Sequence, residues 1–380
     1  MLSFEMLKKD NKPIVFSFFS GAGFLDLGFE KSGFDIRFMN ELHKPFFDAY
    51  IHSRKVMQLP TPVYGHHLES IEKYINGEHK NKLKELVKKS KTESLVGFIG
   101  GPPCPDFSNG GKNRGHQGDN GRLTKEYIDL IIRYKPDFFL FENVKGLWKT
   151  EKHRVFYNDI KLLLEKSGYI LTDFLANSLE YGAPQDRDRI ILFGIKNKLL
   201  NKKQRNNIHN EFLWQKYAIF NRNDIPSKEL WPQKEIYSAG SVKAPPNELS
   251  EYLQLTVEYW FNKNDVLNHP NSCHYFQPRK GIVKFKTIQE GDSSGKSFKR
   301  LHRWRYSPTT AYGNNEVHLH PYQDRRLSAS EALSIQSLPK EFELPSSMSL
   351  TNMFKTIGNG VPFLLSEAIA KSVLDYLENI

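Results

Sequence analysis

Cysteine is nearly absent: Cys104 and Cys273 are the two in 380 residues. That excludes a disulfide framework and a cysteine-based metal site, and it favours a reducing, cytoplasmic setting. Long apolar runs are missing too. None approaches a membrane span, and the opening "MLSFEMLKKDNKP" lacks the apolar stretch of a secretory signal, so no membrane partner is expected. There is no internal repeat and no low-complexity tract. The glycine fingerprint of dinucleotide-binding enzymes is one member short. "FSFFSGAGFLDLGFE" offers Gly21 and Gly23, but Asp26 holds the third position, which argues against a nicotinamide oxidoreductase.

What is present describes a folded chain of one large and one smaller domain. Hydrophobic residues make up 39% and aromatics 13%. Lys and Arg number 54 against 43 Asp and Glu, a net charge of +11 that favours a polyanionic partner, nucleic acid first among them. Residues 13 to 194 alternate strand runs ("PIVFSFF", "FDIRFMNE", "SLVGFIGG", "DFFLFENV", "RIILFGI") with helical patterns ("FLDLGFEKSG", "LTKEYIDLIIRY", "FYNDIKLLLEKSGY"). That alternation predicts an α/β fold, a mostly parallel sheet with helices on both faces. From about Asn197 to His320 the periodicity weakens and Asn, Lys, Pro and aromatics rise, which predicts a second, irregular domain over 198–320. "RRLSASEALSIQSL" and "VPFLLSEAIAKSVLDYLENI" then restore helical patterns, the first with a capping box from Ser328 to Glu331. The chain is therefore expected to return over 321–380 to the domain begun by 1–197. The lysines of "KNKLKELVKKSK" read as a solvated helix face.

Four short stretches carry chemistry. Gly21 and Gly23 follow a strand and open a helix, where a tight turn exposes backbone N–H groups to a ligand. Glu41 ends the next strand, 20 residues after Gly21, suited to ribose hydroxyls. In "GGPPCPDFSNGGK" Cys104 stands on a proline-stiffened platform before a Gly-, Asn- and Ser-rich loop, with Lys112, Arg114, Arg187 and Arg189 as candidate cations to ionise its thiol. Cys273 has no such setting and reads as structural. "FLFENV" puts Glu142 at the carboxyl end of a strand, in apolar surroundings that raise a carboxyl pKa. "QDRDR" sets Arg187 and Arg189 on one side of a starting strand. Thiol, carboxylic acid and guanidinium suit nucleophilic addition to C6 of a cytosine. The acid bonds N3, a cation lies at O2, and C5 becomes nucleophilic enough to accept a methyl group.

In this order the motifs resemble those of the DNA (cytosine-5)-methyltransferases. "FSFFSGAGFLDLGFE", "GGPPCPDFSNGGK", "FENV", "YGAPQDRDR", "RRLSASEALSIQSLP" and "IGNGVP" are similar to six family motifs over residues 13–195 and 320–378. The resemblance implies a Rossmann-like methyltransferase sheet with S-adenosylmethionine as co-substrate and no metal. Cys104 is then the nucleophile, Glu142 the group at N3, Arg189 the group near O2, and Arg187 a support. The co-substrate would lie against Phe19, Gly21 and Gly23, with Glu41 on its ribose, Pro103 lining the pocket, and Asn359 with Val361 closing it. A loop over 106–122 would cover a base rotated out of the duplex, and 198–320 would be a target-recognition domain. Ser108, Lys112, Arg300, Arg303 and Arg305 are the expected DNA contacts. The expected partner is double-stranded DNA, read by a monomer in a bacterial cytoplasm at the nucleoid, with a cognate restriction endonuclease acting on the same site.

Four positions depart from the family pattern. Pro105 replaces the usual Gln, and Gly110 a small hydroxyl residue. In "GHHL" His66 stands where an aspartate would bond the adenine amino group, so a neutral ring nitrogen or the backbone must substitute. Ser17 replaces an acid of the first strand. Two alternatives stand beside the main reading: an RNA cytosine-5 methyltransferase of the same fold, whose short Cys-Phe-Thr signature is missing here, and a non-catalytic DNA-binding relative.

Overall fold

The computed structural model describes residues 12–103, 119–278, 282–309 and 317–380. The apolar runs become the strands of a seven-stranded sheet. They are β1 (Ile14–Phe18), β2 (Asp35–Glu41), β3 (His66–Leu68), β4 (Val96–Gly100), β5 (Phe138–Val144), β6 (Tyr169–Asn177) and, after the short β7 (Gln185–Asp186), β8 (Asp188–Lys196). The order across the sheet is β3-β2-β1-β4-β5-β8-β6. The first five strands pair in parallel, and β8 lies antiparallel between β5 and β6. Strand order reverses between β1 and β4, so the carboxyl ends of those strands open the crevice where α/β sheets bind ligands.

Alternation along each strand divides the core. Phe16, Phe18, Phe98, Phe139 and Phe141 point to one face and pack on Tyr127 and Ile131 of the helix Asp119–Tyr134 and on Tyr157 of the helix Glu151–Lys166. Val15, Ile99, Phe138, Leu140 and Phe193 point to the other and meet Phe29 of the helix Phe24–Lys31 and Leu365, Ile369 and Tyr376 of the helix Phe363–Glu378. Near-continuous apolar runs, rather than alternating ones, are what a sheet covered on both faces requires. Close approach makes the C-terminal return possible. A Cβ on Gly28 would lie 2.2 Å from Ser366 Oγ, and the Ser366 hydroxyl donates to Leu25 O at 2.7 Å. The Ser328 capping box forms as the sequence predicts.

Packing on the sheet continues across the expected boundary at 197/198. Leu200, Ile208, Phe212 and Trp214 are buried in the same core as the sheet, and Trp214 Nε1 donates to Thr172 on β6. The irregular region begins only after about Ala218, because apolar side chains too sparse to show a period still suffice to cover an edge strand. That region holds little regular structure: β9 (Lys299–Arg300), β10 (Ser307–Pro308), β11 (His318–Leu319), short helices, and a cluster around Trp231, Leu249 and Leu255. The expected loop over 106–122 also shortens, since residues 119–122 already belong to the helix Asp119–Tyr134.

Candidate active site at the carboxyl edge of the sheet

Glu142 and Arg189 meet across the antiparallel pair β5·β8. Val144 faces Arg189 and Glu142 faces Ile191, which puts Glu142 and Arg189 diagonally on one face. Arg189 Nε lies 2.8 Å from Glu142 Oε1, and both side chains are about nine-tenths buried. Burial pushes the Glu142 carboxyl above its usual range, while Arg189 and Arg187 offset part of that rise. The result is an acid held beside a cation in a nearly dry site, where hydrogen bonds to a bound ligand are strongest.

Gly101 is a site residue that sequence reasoning missed. A Cβ there would lie 2.6 Å from Glu142 Oε2, so a side chain at 101 would push the carboxyl from its place at the end of β4. The doublet Gly100–Gly101 before two prolines was the available signal. Asn143, 2% exposed, accepts the Val144 N–H on its own Oδ1 and directs its amide toward Pro102 O at 3.5 Å, which aligns the Pro-Pro platform with β5. Pro103 is exposed at the end of that platform. Cys104, Ser108 and Lys112 lie outside the described residues, as do Pro105 and Gly110.

Arg187, expected as a support of the site, is set into the core beside it. It is fully buried, and its Nη2 donates to Gly358 O at 2.6 Å and Gly360 O at 3.0 Å. It therefore fastens the C-terminal "GNG" segment to the strand that carries Arg189. Gly360 in turn packs on the helix start after the glycine turn, where a Cβ would fall 2.0 Å from the Phe24 ring. Asn359 is exposed beside it and Val361 is buried.

The crevice beside β1 has the features a nucleoside ligand needs. Gly21 has φ +57 with open space where a side chain would be, and its N–H donates to Glu41 Oε2 at 2.9 Å. Glu41 Oε1 accepts the His43 N–H at 2.7 Å, so the carboxylate is held rigidly at the end of β2. Half-buried Phe19 has φ +54 and stands edge-on to Tyr127. His66 on β3 is wedged between Phe47 and Tyr50, and its Nε2 is a buried atom with no hydrogen-bond partner. Burial first, then Arg54 and His67, lower its pKa and favour the neutral ring. An orphaned ring nitrogen, a rigid carboxylate and an open glycine suit the adenosine part of S-adenosylmethionine.

Beneath this crevice the missing acid of the first strand reappears one element later. Ser17 Oγ donates to Asp26 Oδ1 at 2.8 Å, and Arg54 donates to the carbonyls of Ala22 and Gly23 and to Glu30. Gly23 is glycine because Arg54 occupies its side-chain space, at 2.4 Å.

Two of the expected DNA contacts, Arg300 and Arg303, are buried. Arg300 is fully buried, donates to the carbonyls of Phe285, Ile288, His320 and Gln323, and stacks on Tyr237. Arg303, 2% exposed, makes a two-pronged ion pair with Glu290 and donates to Ser241 O. Both guanidiniums satisfy carbonyls of a region poor in regular structure. Arg305 is half-buried and lines a cleft of about 160 Å³ with Lys228, Ser293 and Asp186.

A doubly wound sheet with an open glycine turn on one side of its crevice and a buried acid–guanidinium pair on the other defines a nucleoside-dependent α/β enzyme. The family profile described as C-5 cytosine-specific DNA methylase matches residues 14–375. Type II methyltransferase M.NmeDI of Neisseria meningitidis serogroup C is 54% identical over 379 residues, spanning 100% of this chain and 87% of that protein. Type II methyltransferase M.FnuDI of Fusobacterium nucleatum is 30% identical over 372 residues, 96% of this chain and 94% of its own. Among solved structures, a protein described as a DNA modification methyltransferase from an Escherichia coli prophage superposes with a TM-score of 0.64 at 22% identity, covering 97% of this chain and 100% of that one. The Schizosaccharomyces pombe Dnmt2 methyltransferase gives 0.59 at 12%, covering 97% and 99%. These two show the fold alone. The chain belongs to the C-5 cytosine-specific DNA methylases and is a DNA cytosine-5 methyltransferase.

Proposed function

We propose that the protein methylates C5 of cytosine within one short sequence of double-stranded DNA, as the modification enzyme of a Type II restriction-modification system. The observation that carries this reading is the buried Glu142–Arg189 pair at the end of β5, adjoining the Pro-Pro platform that precedes Cys104. S-adenosylmethionine supplies an electrophilic methyl group, with Glu41, Gly21, His66 and Phe19 as the residues that would hold it. Asn359 and Val361 border its pocket through the segment fastened by Arg187, and Pro103 stands at the pocket's other side.

Cys104 adds as a thiolate to C6 of the base. Glu142 donates its proton to N3 and Arg189 faces O2, so the charge that the ring acquires is met by groups already in place. Electron density moves to C5, which gains the methyl group. Loss of the C5 proton to solvent then expels the Cys104 thiolate, and N3 returns its proton to Glu142, which restores the ring. The base must leave the duplex for C6 to be reached. Recognition falls to the region after about Ala218, where Arg305 and Lys228 line one cleft, with Ser108 and Lys112 as further DNA-contacting residues. The enzyme acts as a monomer, and a restriction endonuclease reading the same site is its partner.

The test is methyl transfer to long mixed-sequence duplex DNA, read by cytosine conversion sequencing. Protected cytosines within one short motif are expected, and Cys104→Ala abolishes them. Bound S-adenosylmethionine without protected DNA would shift the reading to RNA or to an inactive binder.

A further inference from the structure

Between the two arginines lies a residue that neither motif logic nor the proposed chemistry uses. Asp188 is the first residue of β8, and its carboxylate is shared among three elements. Oδ1 accepts from Asn177 Nδ2 at 3.0 Å and from Arg222 Nη2 at 2.7 Å, and Oδ2 is bound by Lys145 Nζ. Its backbone carbonyl accepts from Arg189 Nη1 at 2.9 Å. Burial pushes this carboxyl up, but Lys145, Asn177 and Arg222 outweigh it and hold it below the usual range.

Those partners come from both parts of the site. Lys145 directly follows Glu142-Asn143-Val144, and Arg222 belongs to the irregular region. The same stretch of chain takes further attachments of the region, beside those that Asn264, His269 and Asn271 make to Leu338, Phe342 and Leu344. The Ser307 N–H donates to Pro184 O at 2.8 Å, β10 pairs in parallel with β7, and Thr309 Oγ1 is bound to Asp186 O. Residues 184–188 are thus one of the places where the irregular region is fastened to the sheet, and the next residue is Arg189.

We propose that Asp188 is a positioning residue that transmits DNA engagement by the irregular region, through Arg222, to the Glu142–Arg189 pair. The inference rests on the reading that this region holds DNA. Arg222 is about half exposed, on the solvent side of the link, while Asp188 is 12% exposed on the site side. A shift of the region on a duplex moves Arg222 against a carboxylate that also anchors Lys145 and, through its backbone, Arg189. A small displacement there changes the alignment of acid and guanidinium on the base.

Arg222→Gln, Asp188→Asn and the double variant of the full chain test this on a duplex carrying the site found by conversion sequencing. Each single variant should slow single-turnover methyl transfer about tenfold at saturating DNA and co-substrate. The double variant should be no slower than Asp188→Asn alone, because one link is broken twice. S-adenosylmethionine affinity should stay within about twofold and Arg222→Lys should restore the rate, neither of which a general loss of structure would allow. Effects that multiply in the double variant overturn the proposal. So does an Arg222→Gln enzyme that loses only DNA affinity and keeps its rate at saturation, since Arg222 would then be a phosphate contact. Should Asp188→Asn melt early, the Gln and Lys variants of Arg222 decide alone. Active variants of a methylating wild type remove this inference only, whereas a wild type that methylates no duplex removes the functional reading with it.

Discussion

Glu142 shows how burial and charge set a single group. Its carboxyl is raised by desolvation, and a raised acid keeps its proton to higher pH than an ordinary glutamate. The donor form is therefore complete at low pH and is lost as pH rises through the raised value. Single-turnover rates against pH should show that loss as a falling alkaline limb. Glu142→Gln should lower the rate by roughly 10²–10⁴ and abolish that limb, leaving the rise that belongs to the thiol. Gly101 carries a second prediction at this scale. Its Cβ would press on Glu142 Oε2 at 2.6 Å, so Gly101→Ala should cost about tenfold in rate with little change in melting temperature.

At the scale of elements, the helix Phe24–Lys31 is shared by everything on the co-substrate side. Its first turn follows the glycine turn, its Asp26 meets Ser17 on β1, and its Gly28 lies against the C-terminal helix Phe363–Glu378. Arg54, from the helix Lys44–Val56, binds two consecutive carbonyls of the turn and lies 4.0 Å over the Tyr50 ring. Gly28→Ala should push the two helices apart. The added methyl meets Ser366 Oγ at 2.2 Å and the Glu367 backbone at 2.6 Å, which a rigid helix cannot yield. The expected cost is about 1–3 kcal/mol, measured by denaturant unfolding, with weaker S-adenosylmethionine binding because the turn rides on this helix.

The whole molecule responds to acid through its irregular region. Buried His320 lies 3.4 Å from Glu331, and burial lowers its pKa to about 4 even though Glu331 opposes the shift. Unfolded, the same ring titrates near 6.5. Between those values the unfolded chain binds more protons, so stability is complete above about 6.5 and is lost as pH falls toward 4. The loss should amount to roughly 2–3 kcal/mol, and unfolding at pH 7 and pH 5 should show it shrinking in His320→Gln. The net charge of +11 has its own whole-molecule signature. DNA affinity should fall linearly with log salt, and Arg305→Gln or Lys228→Gln should each flatten the slope by about one while weakening all sequences alike. An uneven loss at one base pair would make Arg305 a base reader instead. Among the described residues no helix is long and apolar enough to cross a membrane.

Local chemistry decided much of this in advance. Apolar runs long enough for strands, a glycine turn before a helix, the Ser328 capping box, and Glu142 at a strand end are all properties of neighbouring residues, and they stand where the sequence predicts. The order of the motifs carried the family. What stayed hidden depends on partners distant in the chain. Arg300, Arg303 and Arg305 look alike in "KRLHRWR", yet two are buried against carbonyls and a glutamate and the third is only half-buried, because only the folded path determines which carbonyls lack donors. The sequence likewise reads Arg187 only as a support, and what it supports is decided by the "GNG" segment, 171 residues further on, which takes its hydrogen bonds. Composition and spacing set which groups are available. Tertiary structure alone decides which of them are left for the substrate, since a buried polar group must first be satisfied by whatever packs beside it.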